Sequence, residues 1–153
     1  MKEPNLYFFR SDEFQGFWGM IDTRLLVLLD TFRAMLGQPV VISPAPGAVG
    51  RRDGPTGGSQ HNIDRWGEVR AVDILLPEIK TVAEATNMAR LAVAVGFTGV
   101  GFYPDWNPRA GLHLDVRRDK YPGDPALWGG VRDTPKSKQR YVSLQDSLNK
   151  LVA

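Results

Sequence analysis

Cysteine is absent from the sequence of 153 residues, and histidine occurs only twice, at His61 and His113. The absence of cysteine excludes a disulfide framework, a thiolate metal site and a cysteine nucleophile. Any metal ion must therefore be held by nitrogen and oxygen atoms.

Long apolar runs are also missing. The longest, residues 25–29, is far shorter than the roughly 20 residues that span a bilayer. The N-terminal residues do not lead from a basic segment into an apolar stretch, so we predict no secretory signal and expect the chain to begin in the cytoplasm. The net charge is only +2, with acidic and basic residues interspersed. We therefore expect neither a membrane nor a nucleic-acid partner.

The overall composition is typical of one globular domain. With 42% hydrophobic residues, the chain is long enough to bury one core and too short for two. We predict a single domain over residues 1–153.

Three helices are predicted from apolar spacing and caps. Apolar residues recur at steps of three and four over residues 14–37. Thr81 and Glu84 form a capping-box pattern that opens a second helix, and Gly96 is its predicted end. A third helix is predicted for residues 143–151. We interpret the first two helices as scaffold.

Four strands are predicted from short apolar or β-branched runs, at residues 40–43, 69–76, 99–103 and 112–116. The segment 44–58 has no periodicity and is rich in Gly, Pro and Arg, which predicts a long loop. Long loops in compact domains are often functional. The order of elements indicates an α+β fold with a mainly antiparallel sheet of about four strands and flanking helices.

Each histidine can be matched with a carboxylate in a segment that otherwise looks structural. His61 lies upstream of Asp73, and His113 lies two residues before Asp115. On a strand, His113 and Asp115 share one face while the leucines between and beside them face the core. A catalytic zinc ion takes about three protein ligands and one water molecule, and His61, Asp73 and His113 can supply that set. The alternative is a pair of hydrogen-bonded structural histidines.

Four segments resemble, in order, the motif series of the zinc D-Ala-D-Ala carboxypeptidase-type peptidases, a superfamily that includes lysostaphin-like and hedgehog-like domains. They are Gly-Ser-Gln-His at 58–61, Arg-Ala-Val-Asp-Ile at 70–74, Gly-Val-Gly-Phe-Tyr-Pro at 99–104 and Gly-Leu-His-Leu-Asp-Val-Arg at 111–117. The resemblance covers a motif core of about residues 40–118.

The resemblance implies an antiparallel-sheet fold in which His61, Asp73 and His113 bind Zn²⁺ on one sheet face. It implies hydrolysis of peptide bonds in bacterial peptidoglycan, and members close to this pattern include phage endolysins and virion-associated peptidases. The expected partners are then a peptidoglycan peptide and other phage virion proteins. Such a protein is made in the host cytoplasm and acts on the wall after lysis or as a virion component. The alternative is a non-catalytic phage structural or wall-binding module that retains the fold.

Two departures from the family pattern bear on the site. His61 and Asp73 lie farther apart than the family places them, which we interpret as an insertion that lengthens the loop and can reshape the cleft. Relatives often carry an acidic residue or His shortly before the last His, where this chain has Ala110 and Gly111. The identity of the catalytic base therefore stays open.

A carboxylate near the metal-bound water is needed to accept and deliver a proton. Asp115 is the first candidate, because relatives with a His-x-Asp ending resemble this chain. The same carboxylate is equally suited to orienting a metal ligand. Asp105, Asp64 and Glu68 are the further candidates, with solvated surface acids as the alternative interpretation.

Arg51 and Arg52 occupy the place where the family carries a catalytic arginine that binds substrate carboxylate or polarises the scissile carbonyl. A planar guanidinium suits this task because it pairs bidentately and stays charged. The alternative is a solvated arginine pair.

Ser59 matches a family serine and is expected to form hydrogen bonds at the substrate site rather than to act as a nucleophile, because no His–acid pair is free to activate it. Tyr103, with Trp106 and Trp66, can line a cleft for substrate. Aromatic residues at the edge of the core are the alternative interpretation.

Overall fold

The computed structural model describes residues 4–152. Its single sheet has the strand order β1-β2-β4-β3-β5-β6. The strands are β1 Val41–Ile42, β2 Ala71–Leu75, β3 Gly99–Tyr103, β4 Gly111–Asp115, β5 Ala126–Val131 and β6 Arg140–Val142. The α-helices are α1 Thr23–Leu36, α2 Ile63–Trp66, α3 Val82–Val95 and α4 Leu144–Asn149. Short 3₁₀ turns occupy Ser11–Glu13, Trp18–Met20 and Lys150–Val152.

The α+β class is confirmed, but the sheet has six strands rather than about four and is mixed. All neighbouring strands are antiparallel except β3 and β5, which are parallel. The four predicted strands are present, with small shifts at their ends. The two unpredicted strands lie after residue 125. Glycine in β5 and the short, largely exposed β6 weaken the signals of apolar alternation from which strands are predicted.

The first predicted helix is shorter than expected, since α1 begins only at Thr23. Gln15 and Gly16 have φ values of 54° and 83°, which a continuous helix cannot accommodate. The Asp22 side chain accepts a hydrogen bond from Arg24 N and caps the new start. Gly37 ends α1 in the left-handed conformation, as predicted.

The second predicted helix is confirmed in detail. Thr81 Oγ1 accepts from Glu84 N, and the Glu84 carboxylate accepts from Thr81 N, so both bonds of the capping box form. Gly96 ends α3 at a φ of 119°. The final helix is also present as α4, capped by Ser143 and followed by the last 3₁₀ turn.

One face of the sheet belongs to the hydrophobic core. Leu112 and Leu114 of β4 are fully buried there, as predicted from the alternation of the strand. Side chains of α1 and α3 complete the same cluster, including Leu29, Phe32 and Ala89. The opposite face of the sheet carries the polar side chains of His113 and Asp115. Within the described residues, no helix has the length and apolar character needed to cross a bilayer.

Candidate metal centre

A row of laterally paired residues crosses the sheet at the site. Asp73 of β2 pairs with His113 of β4, His113 pairs with Gly101 of β3, and Gly101 pairs with Trp128 of β5. Residues that are paired across neighbouring strands project to the same face. The row thus places a carboxylate, an imidazole and an indole side by side on the face opposite the core.

The remaining histidine, His61, comes from the loop before α2. The buried Asn62 side chain fixes this loop, since its amide nitrogen donates to Gly54 O and Gly57 O and its oxygen accepts from Asp53 N. His61 O also accepts from Arg51 N at 2.9 Å. A backbone held at several points carries the His61 ring to the sheet.

Three side-chain atoms converge at the site. His61 Nε2 lies 3.2 Å from Asp73 Oδ1 and 3.2 Å from His113 Nδ1, and His113 Nδ1 lies 3.1 Å from Asp73 Oδ1. All three residues are buried, with at most 9% of their surface exposed. The atoms form a nearly equilateral triangle.

The outer hydrogen bonds of the two imidazoles determine which ring nitrogen carries hydrogen. His61 Nδ1 lies 2.7 Å from Val49 O, and His113 Nε2 lies 2.7 Å from Asp115 Oδ2. A carbonyl and a carboxylate accept hydrogen bonds, so both of these nitrogens carry the proton. In the neutral rings, His61 Nε2 and His113 Nδ1 therefore present lone pairs to each other and to Asp73.

Such a cluster of three acceptors needs a positive charge at its centre. A tetrahedral zinc ion bound at 2.0–2.1 Å separates its ligand atoms by roughly 3.3 Å, close to the observed triangle. Two neutral imidazoles and one carboxylate are also a known donor set for catalytic zinc. The group His61, Asp73 and His113 could therefore hold a metal ion.

The pKa values of Asp73 and His113 indicate how the negative charge of the Asp73 carboxylate is balanced when no metal is bound. Burial raises the pKa of Asp73, whereas hydrogen bonds with His113 and His61 lower it. The lowering is larger, so the net pKa lies well below the usual value. Burial lowers the pKa of His113, whereas Asp115 and Asp73 raise it, to a net value of about 9. The two carboxylates thus favour the protonated form of His113.

Asp115 lies behind His113 rather than in the open pocket, and its side chain is fully buried. Its Oδ2 binds His113 Nε2 and accepts from Arg117 Nη2 at 2.6 Å, while Oδ1 accepts from Arg117 Nε at 2.9 Å. Burial raises the pKa of Asp115, but His113 and Arg117 lower it to well below the usual value. This geometry corresponds to a carboxylate that orients a histidine.

The candidate metal centre opens into a pocket of about 1090 Å³. Tyr103 and Trp106 line it and stack at a centroid distance of 4.3 Å. Trp128 Nε1 donates to the Tyr103 hydroxyl at 2.7 Å, and the Trp128 ring contacts His113 at a centroid distance of 5.1 Å. Burial raises the pKa of Tyr103 well above its usual value, so the hydroxyl stays neutral.

The structure separates the two candidate arginines. Arg51 lines the pocket, and its Nη2 lies 4.0 Å from Asp73 Oδ2. Arg52 points away, pairs with Asp64 at 3.1 Å and does not line the pocket. Ser59 does line it, and its hydroxyl accepts from His61 N at 3.2 Å.

The segment between His61 and Asp73 packs beside the loop rather than over the pocket. Its acids Asp64 and Glu68 are paired with arginines outside the pocket. Trp66 donates to Ser59 O at 2.8 Å and likewise does not line the pocket. This segment therefore supports the His61 loop and contributes no side chain to the pocket lining. Of the alternative acids, only Asp105 lines the pocket.

Part of the pocket wall was missed by sequence reasoning. Residues of β5, of the loop between β5 and β6, of β6 and of the last turn reach the pocket, among them Trp128, Arg132, Asp133, Gln139, Tyr141 and Lys150. They follow the segments that carry the motif resemblance. The pairing of β5 with β3 and of β6 with β5 brings them to the site. No local pattern in the sequence reveals this placement.

Neither a family model, nor a curated protein, nor a solved structure matches this chain. A function must therefore be argued from the chemistry of the site and from the motif resemblance.

Proposed function

We propose that the protein is a zinc-dependent peptidase that hydrolyses amide bonds in the stem peptides or cross-links of bacterial peptidoglycan. The observation that carries the proposal is the convergence of His61 Nε2, His113 Nδ1 and Asp73 Oδ1, at 3.1–3.2 Å from one another, beside an open pocket. Asp73 and His113 lie on paired strands, and the loop delivers His61 to them. The motif resemblance supports the choice of peptidoglycan.

His61, Asp73 and His113 would hold the zinc ion through these three atoms. When bound at a site with an open position, zinc lowers the pKa of a water molecule and polarises a carbonyl group. The open side faces the pocket, where a peptide has room to bind.

Asp115 acts on the metal through His113. It accepts a hydrogen bond from the Nε2–H group of the ring and so leaves Nδ1 free for a metal. Arg117 in turn holds both carboxylate oxygens of Asp115. This assigns Asp115 the orienting role that the sequence left open, and another group must accept the proton of the attacking water.

We assign that proton acceptor to Asp105. Its Oδ2 accepts from Arg132 N at 2.8 Å and from the Lys150 ammonium, whereas its Oδ1 accepts no hydrogen bond from the described residues. A carboxylate with a free oxygen in the pocket is suited to general-base catalysis.

Arg51 and Tyr103 are positioned to contact the substrate. The Arg51 guanidinium lies on the Asp73 side of the pocket, where it can hold a carboxylate or the scissile carbonyl. The Tyr103 hydroxyl accepts from Trp128, so its own hydrogen is available to a substrate oxygen. Ser59 contributes mainly by supporting the His61 backbone.

The motif resemblance further supports a phage origin, with action on the cell wall after lysis or as a virion component. The expected partners in that setting are the peptidoglycan peptide and other virion proteins. This part of the proposal rests on the resemblance alone.

A second candidate is a non-catalytic wall-binding or structural module that keeps the fold and the metal. The observation in its favour is that the acids lining the pocket are engaged. Asp105 pairs with Lys150, Asp133 pairs with Arg140, and Asp73 belongs to the metal centre. Such a module would bind zinc but leave peptidoglycan intact.

The test is digestion of purified peptidoglycan by zinc-loaded protein, by chelator-treated protein and by protein to which zinc has been restored. Release of free amines should require zinc and should be lost in His113→Ala. Asp105→Asn should lower kcat by roughly 10²–10⁴-fold at unchanged zinc content, whereas Asp64→Asn, outside the pocket, should have little effect. Bound zinc without turnover would favour the second candidate, and failure to bind zinc would refute both.

A further inference from the structure

We propose that Arg132 forms a carboxylate-binding subsite on the pocket wall built by the C-terminal part of the chain. Arg132 directly follows β5 and lines the pocket. The identity of the ligand as a peptide rests on the proposed function, whereas binding of its carboxylate rests on the contacts described below.

The Arg132 backbone is fixed, but its guanidinium is not paired. Arg132 N donates to Asp105 Oδ2 at 2.8 Å, and Arg132 O accepts from the Lys150 ammonium. Within residues 4–152, the side chain forms no hydrogen bond, ion pair or aromatic contact, although it is partly buried. A held backbone with an unpaired guanidinium at the pocket is an arrangement that an anionic ligand completes.

Neither Asp105, which accepts from the Arg132 backbone, nor the adjacent Asp133 forms an ion pair with the Arg132 guanidinium. Asp105 is engaged by the Lys150 ammonium. Asp133 is engaged by Arg140, whose Nε and Nη2 both bind its carboxylate at 2.9–3.1 Å. The Lys150–Asp105 pair thus fixes this wall of the pocket. It also uses the charge of Lys150, so that the Arg132 guanidinium remains available to a ligand.

The sheet order places this charge apart from Arg51. Arg51 approaches Asp73 of β2, the second strand in the order, whereas Arg132 follows β5, the fifth. The metal centre lies between them, on β2 and β4. A peptide that spans the pocket can therefore place its scissile amide at the metal and a carboxylate at Arg132.

The surrounding wall suits a peptide carboxylate. Trp106 and Tyr141 give the pocket aromatic surface, and Trp106 Nε1 donates to Gln139 Oε1 at 3.1 Å, which orients the glutamine. A single guanidinium matches the two oxygens of a carboxylate in a bidentate pair. The subsite thus favours an acidic peptide over its neutral amide.

The test compares a synthetic peptidoglycan stem pentapeptide that has free carboxylates with the same peptide carrying amides in their place. Calorimetry with zinc-loaded protein measures binding, and mass spectrometry of the same samples reports cleavage. The acid should bind roughly tenfold more tightly than the amide. Arg132→Gln should abolish this difference, and Arg132→Lys should restore part of it. Where the peptide is cleaved, Arg132→Gln should raise KM and leave kcat nearly unchanged.

The matched control is Arg90→Gln, an exposed arginine on α3 that does not line the pocket, and it should keep the preference for the acid. Equal binding of acid and amide by the unaltered protein, or an undiminished preference in Arg132→Gln, would overturn the subsite. Cleavage without a preference would refute the subsite and leave the proposed function standing. A preference that depends on Arg132 but is not accompanied by cleavage would support the subsite and count against the proposed function.

Discussion

His113 is held from both sides, and this arrangement decides what its ring can bind. Asp115 accepts a hydrogen bond from His113 Nε2 on the inner side, while Nδ1 faces Asp73 and His61 on the outer side. Because Asp115 is itself fixed by Arg117, the orientation of the ring does not depend on the metal. In Asp105, the proposed proton acceptor, Oδ2 is held by hydrogen bonds and Oδ1 accepts none from the described residues.

At the residue scale, we expect Asp115→Asn to weaken zinc binding by roughly 10–100-fold, because the buried negative charge that fixes the His113 ring is lost. Competition against a fluorescent zinc chelator measures the change. Asp12→Asn is the control, since Asp12 forms an exposed ion pair with Arg10 and should leave affinity unchanged. Unaltered affinity in Asp115→Asn would show that the carboxylate does not orient the ligand.

At the scale of the strands, glycines make room for the large side chains of the site. A Cβ atom at Gly99 would lie 2.2 Å from Asp115 Oδ1, and one at Gly101 would lie 2.6 Å from Trp128 Cε2. Tyr103 occupies the corresponding space over Gly130. Glycine usually weakens a strand, but here it permits close packing of polar and aromatic groups on the sheet.

We expect Gly101→Ala to displace the Trp128 ring from His113 and to destabilise the fold by about 1–3 kcal/mol, because a rigid indole must move. Urea unfolding measures the loss of stability, and tryptophan fluorescence reports the displacement. Gly19→Ala is the control, since its Cβ would meet no atom within 4 Å. Equal stability of the Gly101→Ala variant and the unaltered protein would contradict the packing described here.

At the scale of the whole molecule, the candidate metal centre joins parts of the chain that are distant in sequence. His61 belongs to a loop, whereas Asp73 and His113 belong to β2 and β4. An ion that binds all three binds the folded state alone, because the unfolded chain does not hold these ligands together. Zinc should therefore stabilise the entire domain.

At free zinc 100-fold above Kd, the gain in unfolding free energy is about 2.7 kcal/mol. For a chain of this length we expect Tm to rise by roughly 5–10 °C. Calorimetric scans with zinc and with chelator test this rise, and His61→Ala should abolish it. An equal rise in His61→Ala would place the zinc elsewhere.

The sequence by itself determined the parts of the molecule that depend on local spacing. Thr81, Glu84 and Gly96 set the limits of α3 through their own backbone preferences. Alternation along β4 placed Leu112 and Leu114 in the core and His113 with Asp115 on the other face. The three metal-ligand candidates could be named because histidine is so rare, and the structure brings them together.

Only the tertiary structure decided which side chains surround the candidate metal centre, because that depends on contacts between distant segments. Arg51 and Arg52 are adjacent in sequence, yet one reaches the pocket and the other pairs with Asp64. Parallel pairing of β5 with β3 brings Trp128 to His113, and the Lys150 contact fixes Arg132 at the pocket wall. Such placements follow from strand order and register, which no short stretch of sequence specifies.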